Sequence, residues 1–263
     1  RRRIPVCLWP EKLKTEIISA DSRQFYSEMN IGTAKPSPEL LAQVKHHCIG
    51  FLSVTNKFSA FDYELVVLNL LKDIFRKSNC CLLTGGSGLY VNAVVNGFDN
   101  IPDANLKLRQ ILNGKFKSEG LEAMVKQLKE LDPEYYDKVD KNNPVRVMRA
   151  LEVCLTTGKP FSSFLKGEKI KRDFETIKIG ITYPLEVIYE RINLRCDNMM
   201  EMGLFQEVKG LYPFKGLVPL KTIGYQEFFN HLDGKITFTK AVESFKQHTR
   251  NYAKRQLSWL RRD

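Results

Sequence analysis

Asp21 and Ser22 close a short β-branched run, Ile17-Ile-Ser-Ala20. Such a run predicts a buried strand, and the carboxyl end of a strand is where open α/β sheets bind ligands. The polar residues continue through Arg23, Gln24, Thr33 and Lys35 with almost no hydrophobic periodicity, so the loop reads as a site. A second candidate is Leu83-Thr-Gly-Gly-Ser-Gly-Leu-Tyr90, a strand, a glycine turn and a helix start. Its glycines allow close backbone approach, and a helix N-terminus offers unpaired N–H groups to an anion. A plain tight strand-to-helix connection accounts for the same residues.

Basic pairs form a third class. Arg146 and Arg149 lie three apart in Asn143-Pro-Val-Arg-Val-Met-Arg149, and Arg191 and Arg195 lie four apart, so each pair shares a helix face. Two arginines so placed can clamp phosphates or stack on bases, and they can equally be a solvated face. Lys246, Arg250 and Lys254 form a stripe at helical spacing, with Val242, Phe245, Tyr252 and Leu260 on the other side. From Lys221 onward nine Lys or Arg face four Asp or Glu, which suits a phosphate-tracking surface. The whole chain carries +11 at pH 7 over 263 residues, favouring a polyanionic partner such as nucleic acid, or an anionic membrane surface.

Other chemistry is disfavoured. The six cysteines, Cys7, Cys48, Cys80, Cys81, Cys154 and Cys196, contain no C-x-x-C pair, which argues against a zinc site or a disulfide framework and for a reducing compartment. Cys80 and Cys81 are expected in the core. His46-His47 has no companion at metal-ligand spacing. Met199 and Met200 read as core fillers. The longest apolar stretch, Leu65–Leu71, is far shorter than the roughly 20 residues of a membrane span. The start, Arg1 to Pro10, lacks the apolar region and cleavage site of a secretory signal, so a soluble, cytoplasmic protein is expected.

The elements that must position these residues follow from periodicity. Residues 16–20 and 79–84 read as buried strands, 60–76 as a helix with apolar Phe61, Leu65, Leu68 and Leu71 at helical spacing, and 89–95 as a helix. Such alternation predicts a parallel α/β core. Residues 103–165 carry helical pattern only, at 106–112, 121–131 and 145–155. Ile177-Lys-Ile-Gly-Ile-Thr-Tyr183 reads as a returning strand, after which the chain is helical. The predicted organisation is therefore an α/β core from residues 1–102 and 166–263, interrupted by a helical insertion at 103–165.

Taken in order, these blocks resemble the tRNA dimethylallyltransferases, also called isopentenyltransferases. The likeness rests on Ile17 to Tyr26 with Ile31-Gly-Thr-Ala-Lys-Pro36, on Gly85-Gly-Ser-Gly-Leu-Tyr90, where Ser87 replaces a Thr, and on Val145-Arg-Val-Met-Arg149, where Val145 replaces a Gln. Arg191-Ile-Asn-Leu-Arg195 with the methionines, Ile223-Gly-Tyr225 and Ala253-Lys-Arg-Gln256 complete it. The resemblance implies a P-loop-kinase-like core with nucleotide or ATP-type phosphate binding. It also implies transfer of a dimethylallyl group from dimethylallyl diphosphate to N6 of an adenine beside a tRNA anticodon (position 37), with Mg²⁺ as cofactor. Asp21 would be the general base and Arg195 would help hold pyrophosphate, with Ser22 beside it. Asp21, Ser22, Arg23, Gln24, Ser87, Arg109, Val145, Arg146, Arg149, Gly224, Tyr225, Arg250, Lys254 and Arg255 would meet the tRNA, with the insertion gripping the anticodon stem-loop. A monomer is expected.

The same likeness implies a Gly-x-x-x-x-Gly-Lys-Ser/Thr loop ahead of Asp21, yet residues 1–15 contain no glycine, and Glu11-Lys-Leu-Lys14 resembles the tail of the helix that follows such a loop. Two rivals follow. One is a non-catalytic RNA-binding relic or fragment of that enzyme. The other is an adenylate prenyltransferase or small-molecule phosphotransferase, against which the insertion and the net charge stand.

Overall fold

A computed structural model describes residues 13–97, 99, 101–102, 105–165 and 170–261. The Arg1 to Pro10 start and the first half of the Glu11–Lys14 helix tail lie outside the described residues. The chain divides into two compact units, one from Arg1–Val95 with Arg172–Asp263 and the other Asn96–Lys171.

The first unit is an α/β layer structure. Strand β1 (Ile17–Ser19) is central in a parallel sheet, between β2 (His46–His47) and β3 (Leu82–Thr84). Its three residues are all buried, the two isoleucines at 1% and 0% exposure, which is what a β-branched run between two neighbours requires. Helix α1 (Pro38–Gln43) leads into β2 (His46–His47), so the histidine pair is an edge strand, with His47 Nε2 2.5 Å from Glu16 Oε2. Helix α2 (Ala60–Phe75) opens on a reciprocal cap in which Ser59 Oγ accepts from the Asp62 N–H and Asp62 accepts from the Ser59 N–H. Strand β3 (Leu82–Thr84) feeds α3 (Gly88–Asn96).

Three expectations change here. Helix α2 buries Tyr63, Val67, Leu71 and Ile74, while Phe61 and Leu65 are exposed; the face is fixed by the Tyr63 hydroxyl, which donates to Ser19 O at 2.8 Å beneath the sheet. Cys80 is half-buried and outside the core, because the strand begins only at Leu82 and lies at a sheet edge, while Cys81, also half-buried, does pack against the core. Residues 177–183 form no strand. Ile177 is 88% exposed, and no neighbouring strand supplies the ladder that a period-two pattern needs to become β-structure.

The second unit is helical. Helix α4 (Leu106–Leu131) is broken at Gly120 (φ 79°), which is why its sequence reads as two helices. Helix α5 (Pro133–Lys138) turns the chain back, and α6 (Pro144–Thr157) starts on an Asn143 cap and ends at left-handed Gly158. Leu112, Met124, Leu128, Val147 and Leu151 form their shared core. The chain then re-enters the first unit as α7 (Leu185–Glu201), α8 (Leu204–Leu211), α9 (Gln226–Leu232) and α10 (Phe238–Leu260). Met199 is buried among them, and Met200 packs against the same core, as fillers should be.

Burial pushes the Cys48 thiol from an ordinary 9.0 up to about 12, and it raises the Tyr63 and Tyr225 phenols as well. A raised acid keeps its proton in the folded state after the unfolded chain has lost it. Its stabilising contribution is therefore complete below the unfolded value and is lost as pH climbs from 9.0 toward about 12. Denaturant midpoints should hold level through neutral pH and fall in that alkaline window, less steeply in Cys48→Ala. A midpoint that stays level through the window would contradict it.

Candidate active site

The carboxyl ends of β1 and β3 are locked into one another. Ala20 N–H donates to Thr84 O (2.7 Å), and Ser87 N–H donates back to Ala20 O (3.3 Å). A Cβ on Gly85 would stand 2.3 Å from the Ala20 carbonyl carbon, so no other residue fits there without moving backbone. Ser22 N–H donates to Ser87 Oγ (3.1 Å), and the two hydroxyls lie 3.1 Å apart. Asp21 therefore leaves the sheet beside a fixed pair of hydroxyls. One of its oxygens, Oδ1, accepts the Arg23 N–H (2.9 Å), and its carbonyl accepts the Gln24 N–H (3.1 Å). That turn holds the half-buried carboxylate at the strand end.

Helix α10 covers the glycine turn. Tyr252 and Gln256, one turn apart, both donate to Gly86 O (3.3 and 3.1 Å), and a Cβ on Gly88 would collide with the Trp259 ring. Burial raises the Tyr252 phenol, and the nearby Asp21 carboxylate raises it further, against a hydrogen bond with Ser87 and the charges of Arg23 and Arg255. The hydroxyl thus stays a proton donor at neutral pH, close to Asp21. Arg255 lies over the Tyr252 ring at 5.6 Å.

The basic stripe of α10 faces α7. Lys246 pairs with Asp197 (2.5 Å), Arg250 donates to Asn193 Oδ1 (2.7 Å), and Lys254 lies over the Tyr189 ring (5.6 Å). The stripe meets its partners in reverse order, as an antiparallel helix seam does. On the same helix Arg191 stacks on Tyr183 at 4.1 Å, and Arg195 is exposed one turn further on.

The Ile31-Gly-Thr-Ala-Lys35 turn is held by a residue that the motifs do not contain. Glu207 accepts the backbone N–H groups of Asn30, Ile31 and Gly32 (3.0, 2.7 and 3.0 Å) and the Tyr225 hydroxyl (2.6 Å). Tyr225 is fully buried with its ring against Gly32, where a Cβ would lie 2.5 Å from it. Gly224 has φ 88°, and its N–H donates to the buried Glu227, which also meets His248. Gly224 and Tyr225 thus brace the loop from behind. Gln24 is engaged in the same way: its amide accepts from Ser19 Oγ and donates to Thr33 O and Ala34 O. Lys35 Nζ donates to Tyr26 O (2.5 Å) and to Asn30 Oδ1.

Within the helical unit, Arg109 and Arg149 both bind the buried Glu152, and Arg149 also donates to Pro102 O (2.5 Å). Arg146 and Val145 are exposed on the first turn of α6, Val145 at 62%.

A family model described as IPP transferase matches residues 24–263. The chain belongs to that family. A tRNA dimethylallyltransferase of Christiangramia forsetii is 46% identical over 249 residues, 95% of this chain and 82% of the relative. A full-length tRNA isopentenylpyrophosphate transferase of Bacillus halodurans superposes with TM-score 0.68 at 36% identity, covering 98% of this chain and 82% of that one. A eukaryotic dimethylallyltransferase, solved in snapshots acting on tRNA, superposes with TM-score 0.80 at 26% identity, over 97% of this chain and 65% of that one.

Asp21, Ser22, Ser87 and Tyr252 meet at one sheet end. Sequence reading placed Tyr252 on the apolar side of α10 and Gln256 in a motif but gave neither them nor Trp259 a site role, which comes from their contacts with the glycine turn. Glu207 and Glu152 carried no motif signal. Among the described residues no group of three His, Cys, Asp or Glu gathers as a metal cage, and no helix is long and apolar enough to cross a membrane. Tyr225→Phe should cost about 1–2 kcal/mol, the usual price of a lost buried hydrogen bond, and lower the melting midpoint by a few degrees. An unchanged midpoint would mean that the hydroxyl does not brace the loop.

Proposed function

We propose that this chain transfers a dimethylallyl group from dimethylallyl diphosphate to the N6 amine of the adenine beside a tRNA anticodon. Family membership supports the reaction class, and the half-buried Asp21 carboxylate held at the strand end is the single observation that carries its chemistry. An adenine amine is a weak nucleophile because its lone pair is delocalised into the ring. As nitrogen bonds to the allylic carbon, the carbon–oxygen bond to diphosphate breaks and the leaving group takes that electron pair. Asp21 accepts the N6 proton. Its Oδ1 already receives a backbone N–H, which holds the carboxylate in one orientation for the transfer. Ser22 and Ser87 sit beside it as hydroxyl donors, and Arg195 supplies positive charge to the departing diphosphate.

Reaching a carboxylate at a strand end requires the target base to leave its stack. Arg23 and Ser87 meet that base. Gln24, Gly224 and Tyr225 serve by holding the loop, and the Arg250 and Lys254 stripe by joining α10 to α7, with Arg255 beside Tyr252. Arg109, Arg146 and Arg149 meet the RNA backbone from the helical unit, and Val145 adds apolar surface there. Mg²⁺ belongs to this reading as a companion of the diphosphate, since it is commonly held by one or two carboxylates plus substrate phosphates; Asp21 and Ser22 are the oxygen donors at hand. The five described cysteines are free thiols, which supports a reducing compartment such as the cytoplasm.

Asp21→Asn keeps size and the turn while removing the base. Transfer measured with purified chain should fall by about a hundredfold or more, with tRNA affinity within a few-fold of wild type. A large loss of affinity with transfer per bound tRNA preserved would make Asp21 a binding residue.

A further inference from the structure

Glu152 is fully buried on α6, and its Oε2 alone collects both neighbouring guanidiniums. Arg109, on the first turn of α4, reaches it through Nε (3.1 Å) and Nη2 (2.8 Å), and Arg149, one turn before Glu152, through Nη1 (3.2 Å). Both arginine side chains remain 28% exposed. Glu152 Oε1 is buried with no hydrogen-bond partner among the described residues. An orphan carboxylate oxygen costs stability, so a triad arranged for stability alone would pair it. The actual arrangement brings two cations to one point with a single negative charge between them. A net positive charge and several N–H donors are left over at the half-open guanidinium edges.

We propose that Glu152 is a positioning residue, which presets Arg109 and Arg149 as a two-guanidinium fork for one RNA backbone phosphate. This rests on the proposed tRNA reading and adds a residue to it that touches no RNA itself. The fork suits phosphate because planar guanidiniums bind its oxygens two at a time, and holding them before contact spares the ordering of two long side chains on binding.

Charge and positioning predict opposite signs. Removing a carboxylate from a basic surface should, on charge alone, strengthen RNA binding. Positioning predicts that Glu152→Gln weakens it about tenfold, as expected when a charge-assisted hold on two side chains is lost. The probe is an unmodified anticodon stem-loop RNA titrated against the full chain at several salt concentrations. In an Arg109→Gln, Arg149→Gln background the same Glu152→Gln change should have no further effect. Equal or tighter binding by Glu152→Gln overturns the proposal, and so does an equal loss in the double-arginine background, which would be a general structural effect. If the double-arginine variant itself binds like wild type, the tRNA-contact reading beneath the proposal fails, and the two failures are thus distinct. Should Glu152→Gln lose its cooperative melt, Arg109→Lys takes its place, because an ammonium keeps the charge without the two-toothed hold on Oε2. Weaker binding by that variant at an undiminished salt slope is expected, and unchanged affinity overturns the proposal.

Discussion

The interlock of Ala20 with the glycine turn is the constraint on which the site depends. Ala20 is bonded through its N–H to Thr84 and through its carbonyl to Ser87, and Gly85 packs against its backbone with no room for a side chain. Adjacent parallel strands diverge into separate loops unless something joins them beyond the last ladder bond. Here the join is made by main chain, so it is short and stiff. It sets Asp21, Ser22 and Ser87 in one place before any ligand arrives, and preorganisation of that kind is what makes a carboxylate effective in catalysis. Tyr252 and Gln256 then both donate to the Gly86 carbonyl of that turn, so the last helix is tied to the same geometry.

Acidic residues do much of the positioning in this basic protein. Glu207 gathers three consecutive backbone N–H groups and a tyrosine hydroxyl, Glu227 fixes the Gly224 turn, and Glu152 gathers two arginines. Each stands on a helix and reaches a loop or a second helix. The cations are similarly divided. Lys246, Arg250 and Lys254 are engaged with α7, so the count of basic residues after Lys221 overstates the charge open to a polyanion. Arg146 is exposed on the first turn of α6.

Local signals made part of this legible in the sequence. The Ile17-Ile-Ser run, the glycine turn, the Asn143-Pro144 helix start and the hydroxyl at Ser87 each depend on near neighbours, and each forms where its pattern places it. What escaped depends on distant partners. Ile177 to Tyr183 alternates like a strand yet has no ladder to join, and α2 keeps Leu71 in the core but leaves Phe61 and Leu65 exposed, with Tyr63 instead inward and bonded to Ser19. Gln24 and Tyr225 sit in motifs, but nothing in their spacing says that their polar groups are already taken by Thr33, Ala34 and Glu207. Glutamates at 152 and 207 look like any solvated helix residue until the fold brings their partners to them.

The most direct test of the proposed reaction is the mass of its product. The chain would be incubated with dimethylallyl diphosphate, Mg²⁺ and an unmodified tRNA carrying adenine beside the anticodon, and the RNA digested to nucleosides. Appearance of an adenosine heavier by one dimethylallyl unit, with the added group on N6, is the predicted result. If the tRNA binds and no such nucleoside forms, while a full-length family member makes it under the same conditions, the catalytic assignment is wrong and RNA binding is what this chain does.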